Sequence, residues 1–137
     1  MTMDRILIGI DGSDSARAAA RWAAELAGQL DATILAVHGF ARHPMLSGDT
    51  NDDLYATEQR EFADEWCMPL EDSGVDYRLI MEVGDPRDLL LSIAVREDAD
   101  MIVVGNRGRS PVVELMLGSV AGYVSHHAPV PVVIVRT

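Results

Sequence analysis

The sequence predicts an α/β fold: one doubly wound sandwich built on a five-stranded parallel sheet in the order 3-2-1-4-5, with helices on both faces. Three observations predict it. Short apolar runs alternate with helix-patterned stretches along the whole chain, which is the signature of repeated strand-helix-strand units. The third strand alternates polar and apolar residues, so it belongs at an edge, while the others are continuously apolar and belong inside. Right-handed crossovers then leave 3-2-1-4-5 as the natural order.

The elements follow one another plainly. Ile6, Leu7, Ile8 and Ile10 form an apolar run suited to a strand buried on both faces, and Asp11-Gly12-Ser13-Asp14 supplies a turn and a helix cap. From 16 to 30 an Ala-rich helix places Ala16, Ala20, Ala23, Ala27 and Leu30 on one face, small enough to lie close to a sheet. Residues 33–38 are the second strand. Residues 39–53 show no clear period and hold Gly, Pro, Ser and Asn, so they are read as a mobile loop, longer than most connections. A second helix is expected over 54–73 and the alternating strand over 76–82. Asp85 is placed as an N-cap with Pro86 at the first helical position, opening a helix that runs to about Glu97. Strand four covers 101–104, helix four starts near Ser119, and strand five covers 130–136.

At 137 residues the chain is long enough for one domain, 1–137, with a real core. No apolar run approaches the ~20 residues a membrane helix needs, and Met1-Thr2-Met3-Asp4-Arg5 leads into a strand without a signal-like region. Cys67 has no cysteine to pair with. A cytoplasmic protein without membrane association is expected. The formal net charge of −11 argues against nucleic-acid binding, and an anion site must make its own local positive potential.

The sequence also points to such a site. Gly105-Asn106-Arg107-Gly108 follows the apolar strand that ends at Val104, and Gly118-Ser119 precedes the next helix. Glycines let a backbone approach phosphate closely, and the free N–H groups of a first helical turn point at it. In the order 3-2-1-4-5 the chain reverses between strands one and four, and ligands of such sheets bind beside that point. The segments there are Gly9-Ile10-Asp11-Gly12 and Gly105-Asn106-Arg107-Gly108. The pattern lacks the Gly-Lys-[Ser/Thr] ending of a P-loop.

The spacing Gly105-x2-Gly108-x9-Gly118-Ser119 resembles the ATP-binding signature of the universal stress protein family. The opening Ile6-Leu7-Ile8-Gly9-Ile10-Asp11-Gly12-Ser13, the Gly84-Asp85-Pro86 turn and the closing Pro129-Val130-Pro131-Val132-Val133-Ile134-Val135 resemble it too, over essentially the whole chain. The resemblance implies a stress-response homodimer that pairs through strand 130–136 and holds ATP at the switch point. By position, Asp11 would meet the ribose or a bound Mg²⁺. The backbone around Val37 and His38 would meet the adenine edge. Gly105, Arg107 and Gly108 would lie along ribose and phosphates, and Gly118, Ser119 and Val120 would hold phosphate oxygens. Gly9, Ile10 and Val104 complete the expected lining. The equivalent of Ala121 is often a hydroxyl residue in ATP-binding relatives, so one phosphate donor is missing here.

Each of these residues also has a plainer reading. Gly105 and Gly108 alone would be loop punctuation, and Gly118-Ser119 at the matching distance turns the pair into a site. Ser119 suits an N-cap as well as a phosphate contact. Arg107, and less so Arg109, are candidate counter-charges in an acidic chain. His126-His127 reads as a helix end rather than a metal site, since adjacent helical residues diverge by ~100°. Cys67 reads as packing. The apolar residues Val112, Val113, Leu115, Met116 and Leu117 suggest a helical turn over the sheet end or a partner. The leading function is an ATP-binding regulatory module. A slow Mg-dependent ATP hydrolase is the alternative, since no residue is evident to orient an attacking water. A non-nucleotide dimeric scaffold ranks last.

Overall fold

In the computed structural model, which describes residues 2–108 and 117–137, the apolar runs become one parallel sheet. Its strands are β1 (Arg5–Gly9), β2 (Thr33–Phe40), β3 (Tyr77–Val83), β4 (Met101–Gly105) and β5 (Val132–Val135), ordered β3-β2-β1-β4-β5. The helices are α1 (Asp14–Leu30), α2 (Gly48–Glu61), α3 (Met68–Ser73), α4 (Pro86–Arg96) and α5 (Ser119–His127). The expectations for Arg109, Val112, Val113, Leu115 and Met116 fall outside the described residues.

Alternate strand residues enter opposite cores, which is why the inner strands are apolar throughout. On one face Ile6, Ile8, Ile34 and Ala36 meet the alanines of α1 together with Phe62 and Leu70. On the other, Leu7, Leu35, Val37 and Ile102 meet Leu90 and Ile93 of α4 and Val124 of α5. The α1 stripe is Ala16, Ala20, Ala23 and Ala27 as expected, joined by Ala19 and Ala24. Leu30 departs from it: it is 46% exposed, because Asp31 takes a left-handed conformation and ends the helix there.

Three boundaries differ from the sequence reading. The expected long loop at 39–53 shrinks to the connection 41–47, because Gly39 and Phe40 continue β2 beside β3 and α2 begins at Gly48. Buried Asn51 holds that connection. Its Oδ1 accepts from the His43 amide at 2.8 Å, and its Nδ2 reaches the carbonyls of His43 (3.1 Å), Leu46 (3.3 Å) and Ser47 (3.0 Å). The single helix expected over 54–73 is broken by a π-helical turn, Phe62–Trp66, ahead of α3. Pro69 supplies the reason: it has no N–H to give, and its ring opposes the carbonyl one turn back. Finally, β5 is shorter than expected, since Pro131 precedes it and only Val132–Val135 pair with β4.

Candidate functional site

At the C-terminal ends of β1 and β4, where the chain order reverses, lies a cavity of about 400 Å³, a size ordinary for small-ligand sites. Gly9, Ile10 and Asp11 line it from the end of β1, and Val37 and His38 from β2. Val104, Gly105, Arg107 and Gly108 line it from β4 and the turn beyond, and Gly118, Ser119 and Val120 from the start of α5. Every site residue chosen from the sequence that lies among the described residues therefore borders one space; Arg109 lies outside them. Ala16, Gly39, Pro86 and Leu90 border it as well, and the sequence reading had not selected them. Ala121, which lacks the hydroxyl, also lines it.

Gly39 is a position of close packing. A Cβ there would sit 3.0 Å from the Pro86 Cα, so β2 and the start of α4 touch through the glycine. β2 also overhangs its neighbour: it pairs with β1 only through Val37 but with β3 as far as Phe40. The Val37 carbonyl accepts from the Ile10 amide at 2.8 Å, and peptide groups alternate sides along a strand. The next backbone edge on that side belongs to Gly39, facing the cavity.

The floor beneath the glycines is organised by Ser15 and Asn106. A Cβ on Gly105 would lie 2.6 Å from the carbonyl carbon and 2.7 Å from the carbonyl oxygen of Ser15, so the first turn of α1 rests directly on the end of β4. The Ser15 hydroxyl donates to Asn106 Oδ1 at 3.0 Å and accepts from the Arg107 amide at 3.1 Å. Asn106 in turn donates its amide to the Val135 carbonyl (3.0 Å), and its own carbonyl accepts from the Gly118 amide at 2.7 Å. One residue thus joins α1, β5 and the start of α5. The sequence reading passed over it as a spacer between glycines. The Arg107 guanidinium donates to the carbonyl and hydroxyl oxygens of Thr137, at 3.1 and 3.2 Å.

The start of α5 differs from the other long helices. Ser13, Ser47 and Asp85 cap α1, α2 and α4 with side-chain oxygens, but Gly118 caps α5 without one. Ser119 is the first helical residue and not the N-cap, which corrects that part of the sequence reading. The first helical hydrogen bond runs from the Gly122 amide to the Gly118 carbonyl at 2.9 Å. The amides of Ser119, Val120 and Ala121 precede that first bond within α5, no acceptor for them occurs among the described residues, and all three residues line the cavity. This end of the helix dipole presents positive potential to the space.

Asp11 is the carboxylate of the described lining. Its Oδ1 accepts from the Ser13 amide at 2.9 Å, which holds the turn after β1, and its Oδ2 lies 3.4 Å from where a Cβ on Gly108 would be. No group of three His, Cys, Asp or Glu residues placed to hold a metal occurs among the described residues. His38 is buried with both ring nitrogens engaged. Nδ1–H donates to the Ile10 carbonyl at 2.8 Å, while Nε2 lies 3.2 Å from Glu58 Oε2. The Trp66 ring meets it edge-on at 4.9 Å. Cys67 is packed nearby, its thiol pushed up to about 12 by burial. At the far end of α5, His127 stacks on Tyr123 at 4.2 Å and its Nδ1 lies 2.8 Å from the Tyr123 carbonyl, a helix-end arrangement.

Residues 2–136 match the model of the universal stress protein family. The chain belongs to that family. Among curated universal stress proteins, one from Mycobacterium tuberculosis is 36% identical over 141 residues, covering 96% of this chain and 95% of the relative. A universal stress protein solved in complex with cAMP is 27% identical with a TM-score of 0.74, covering 99% of this chain and 98% of its own. The universal stress protein of Archaeoglobus fulgidus in complex with dAMP is 25% identical with a TM-score of 0.70, covering 98% of each chain. The universal stress protein fold thus accounts for the sheet order.

Proposed function

We propose that the protein is a nucleotide-binding regulatory module that takes an adenine nucleotide, ATP foremost, and acts as a homodimer in a stress response. The observation that carries this reading is the start of α5. Three first-turn amides, with no acceptor and no capping side chain among the described residues, border a cavity that also has an apolar, backbone-edged end. Phosphate oxygens fit the first feature. An adenine fits the second: Val37, Leu90 and Val104 supply apolar surface, and the overhanging edge of β2 at Gly39 supplies a backbone donor and acceptor. The relatives solved with cAMP and dAMP support an adenine nucleotide as ligand class.

Asp11 faces the same space and suits a ribose hydroxyl, or a Mg²⁺ ion carried in on the phosphates. Gly105 and Gly108 suit close passage of the sugar and phosphates, and Arg107 would have to leave Thr137 to add its charge. Hydrolysis needs a residue that orients water, and the described lining offers only Asp11, already tied to the Ser13 amide, and the Ser119 hydroxyl. The binding module is therefore the better reading. For the dimer, β5 forms an edge of the sheet with Val132–Val135 half-buried, a surface that self-pairing across a two-fold axis would cover. Occupancy would act by population shift, to the extent that the two conformations or partner states differ in nucleotide affinity.

Calorimetric titration of nucleotide-stripped protein with ATP, with and without Mg²⁺, tests the reading. It predicts one ATP per chain and weaker binding in Gly118→Ala, whose Cβ would press on the Arg107 Cα at 3.2 Å. Absence of binding at millimolar ATP overturns it.

A further inference from the structure

The cavity does not end at α5. On the other side of Ser119 and Val120 an open groove of about 640 Å³ continues along the same end of the sheet. It runs between Ala41 and Arg42, just past β2, and the segment 83–87 that joins β3 to α4. Pro86, Ser119 and Val120 belong to both spaces, so the two meet at the point where the free amides of α5 converge.

The chemistry of the groove is uneven. Ala41, Val83, Pro86 and Val120 give it apolar walls, and two arginines stand at its rim in a chain of formal net charge −11. Arg87 is held rigidly. Its Nε lies 3.2 and 3.3 Å from the two Asp85 carboxylate oxygens, its Nη2 donates to Asp85 Oδ2 at 2.8 Å, and its guanidinium lies 5.4 Å from the Tyr123 ring centroid. Nη1 is left to donate elsewhere, from a fork that is already oriented. Arg42 is held loosely. Its Nη1 is 3.6 Å from Asp52 Oδ1, with side chains 47% and 73% exposed, so the pairing is weak enough to be exchanged for a stronger anion.

We propose that this groove receives a second bulky group carried on the terminal phosphate of the bound nucleotide, so that the protein prefers a dinucleoside polyphosphate to ATP. The inference rests on the reading of the cavity as an adenine-nucleotide site. A phosphate chain held at the start of α5 has the groove as its exit, and Arg42 and Arg87 stand where continuing phosphates would pass. Ala41 and Val83, with the shared wall of Pro86 and Val120, give apolar surface suited to the flat face of a second base, which a guanidinium also stacks against. An acidic polypeptide fits less well: both arginines already have a carboxylate beside them, so the groove alone has little net charge with which to hold one.

The test compares ATP, adenosine tetraphosphate and diadenosine tetraphosphate by calorimetry on the wild type, Ala41→Trp and Arg42→Ala. Ala41 and Arg42 are exposed and outside the cavity lining, so both variants should fold and bind ATP as before. The proposal predicts that the wild type binds the dinucleotide about tenfold or more tighter than either mononucleotide. Ala41→Trp, which fills the groove, should remove that preference, and Arg42→Ala should reduce it. Equal affinity for the dinucleotide and adenosine tetraphosphate, or a preference that survives Ala41→Trp, overturns the proposal while leaving the cavity's ligand intact. Failure to bind ATP at all overturns both together.

Discussion

Replacing Gly105 by alanine should damage the fold and the cavity through a single contact. The new Cβ would lie 2.6 Å from the carbonyl carbon and 2.7 Å from the carbonyl oxygen of Ser15. These are backbone atoms, and no side-chain rotation relieves them. The first turn of α1 must retreat from β4, and forcing a methyl group into packed structure costs about 1–3 kcal/mol. The retreat draws the Ser15 hydroxyl away from Asn106 Oδ1 and from the Arg107 amide, each worth about 1 kcal/mol. Alanine stiffens the unfolded chain and returns about 0.4–1 kcal/mol. The net loss is about 2–4 kcal/mol, and for a chain of this size that corresponds to a fall in Tm of roughly 10 °C. Urea and thermal unfolding followed by circular dichroism give both quantities. The double variant Ser15→Ala/Gly105→Ala should stay destabilised, because the obstructing atoms remain. A Gly105→Ala protein that melts within about 2 °C of the wild type, or one fully rescued by removing the Ser15 hydroxyl, would refute the close approach of α1 and β4.

Other consequences are open to equally direct checks. Asn51→Ala removes the amide that holds the connection 41–47, leaving the His43 amide without its acceptor; a loss of about 2–3 kcal/mol and faster protease cleavage within 41–47 are expected, and an unchanged cleavage pattern would contradict the latch. The hydrogen bonds from the Arg87 side chain, and then from its amide, hold the Asp85 carboxyl below its ordinary range. Its contribution to stability is therefore present above the unfolded carboxylate range and lost as pH falls through the folded value. The exposed setting keeps it small, but the stability gap between the wild type and Asp85→Asn should narrow as pH drops, and a constant gap would contradict the pairing. Cys67, buried and raised to about 12, should react with a thiol reagent only at the rate of unfolding, and rapid labelling of the native protein would show that it is not packed as described.

The parts of the molecule that repeat a simple pattern were legible in the sequence. Sheet order followed from which strands are apolar on both faces, and the cavity followed from where that order reverses. The Ala-rich face of α1 could be read because small residues at helical spacing have few other uses. What escaped were contacts in which a polar residue works through geometry. Asn106 looks like a spacer, yet it ties three elements together because its carbonyl, amide and side chain face three different neighbours. The start of α2 reads as a loop because Gly48, Asp49, Asn51 and Asp52 are poor helix formers. Only Ser47, accepting from the Thr50 amide at 3.1 Å, and buried Asn51 make it helical. Pro69 was a visible signal for the break after α2 that the run of helix-forming residues around it obscured. Leu90 and Gly39 look like any core leucine and strand glycine until the packing of α4 and the overhang of β2 bring them to the cavity.

The central claim, that the start of α5 and the glycine turn after β4 hold the phosphates of an adenine nucleotide, is tested most directly by backbone amide NMR. Isotope-labelled, nucleotide-free protein would be titrated with ATP while the assigned amides are followed. The account predicts saturable shifts that are largest at Ser119, Val120 and Ala121 and at Gly105 and Gly108, with Gly39 responding at the other end of the cavity. Saturation with those amides unmoved, or shifts confined to another face of the sheet, would contradict it.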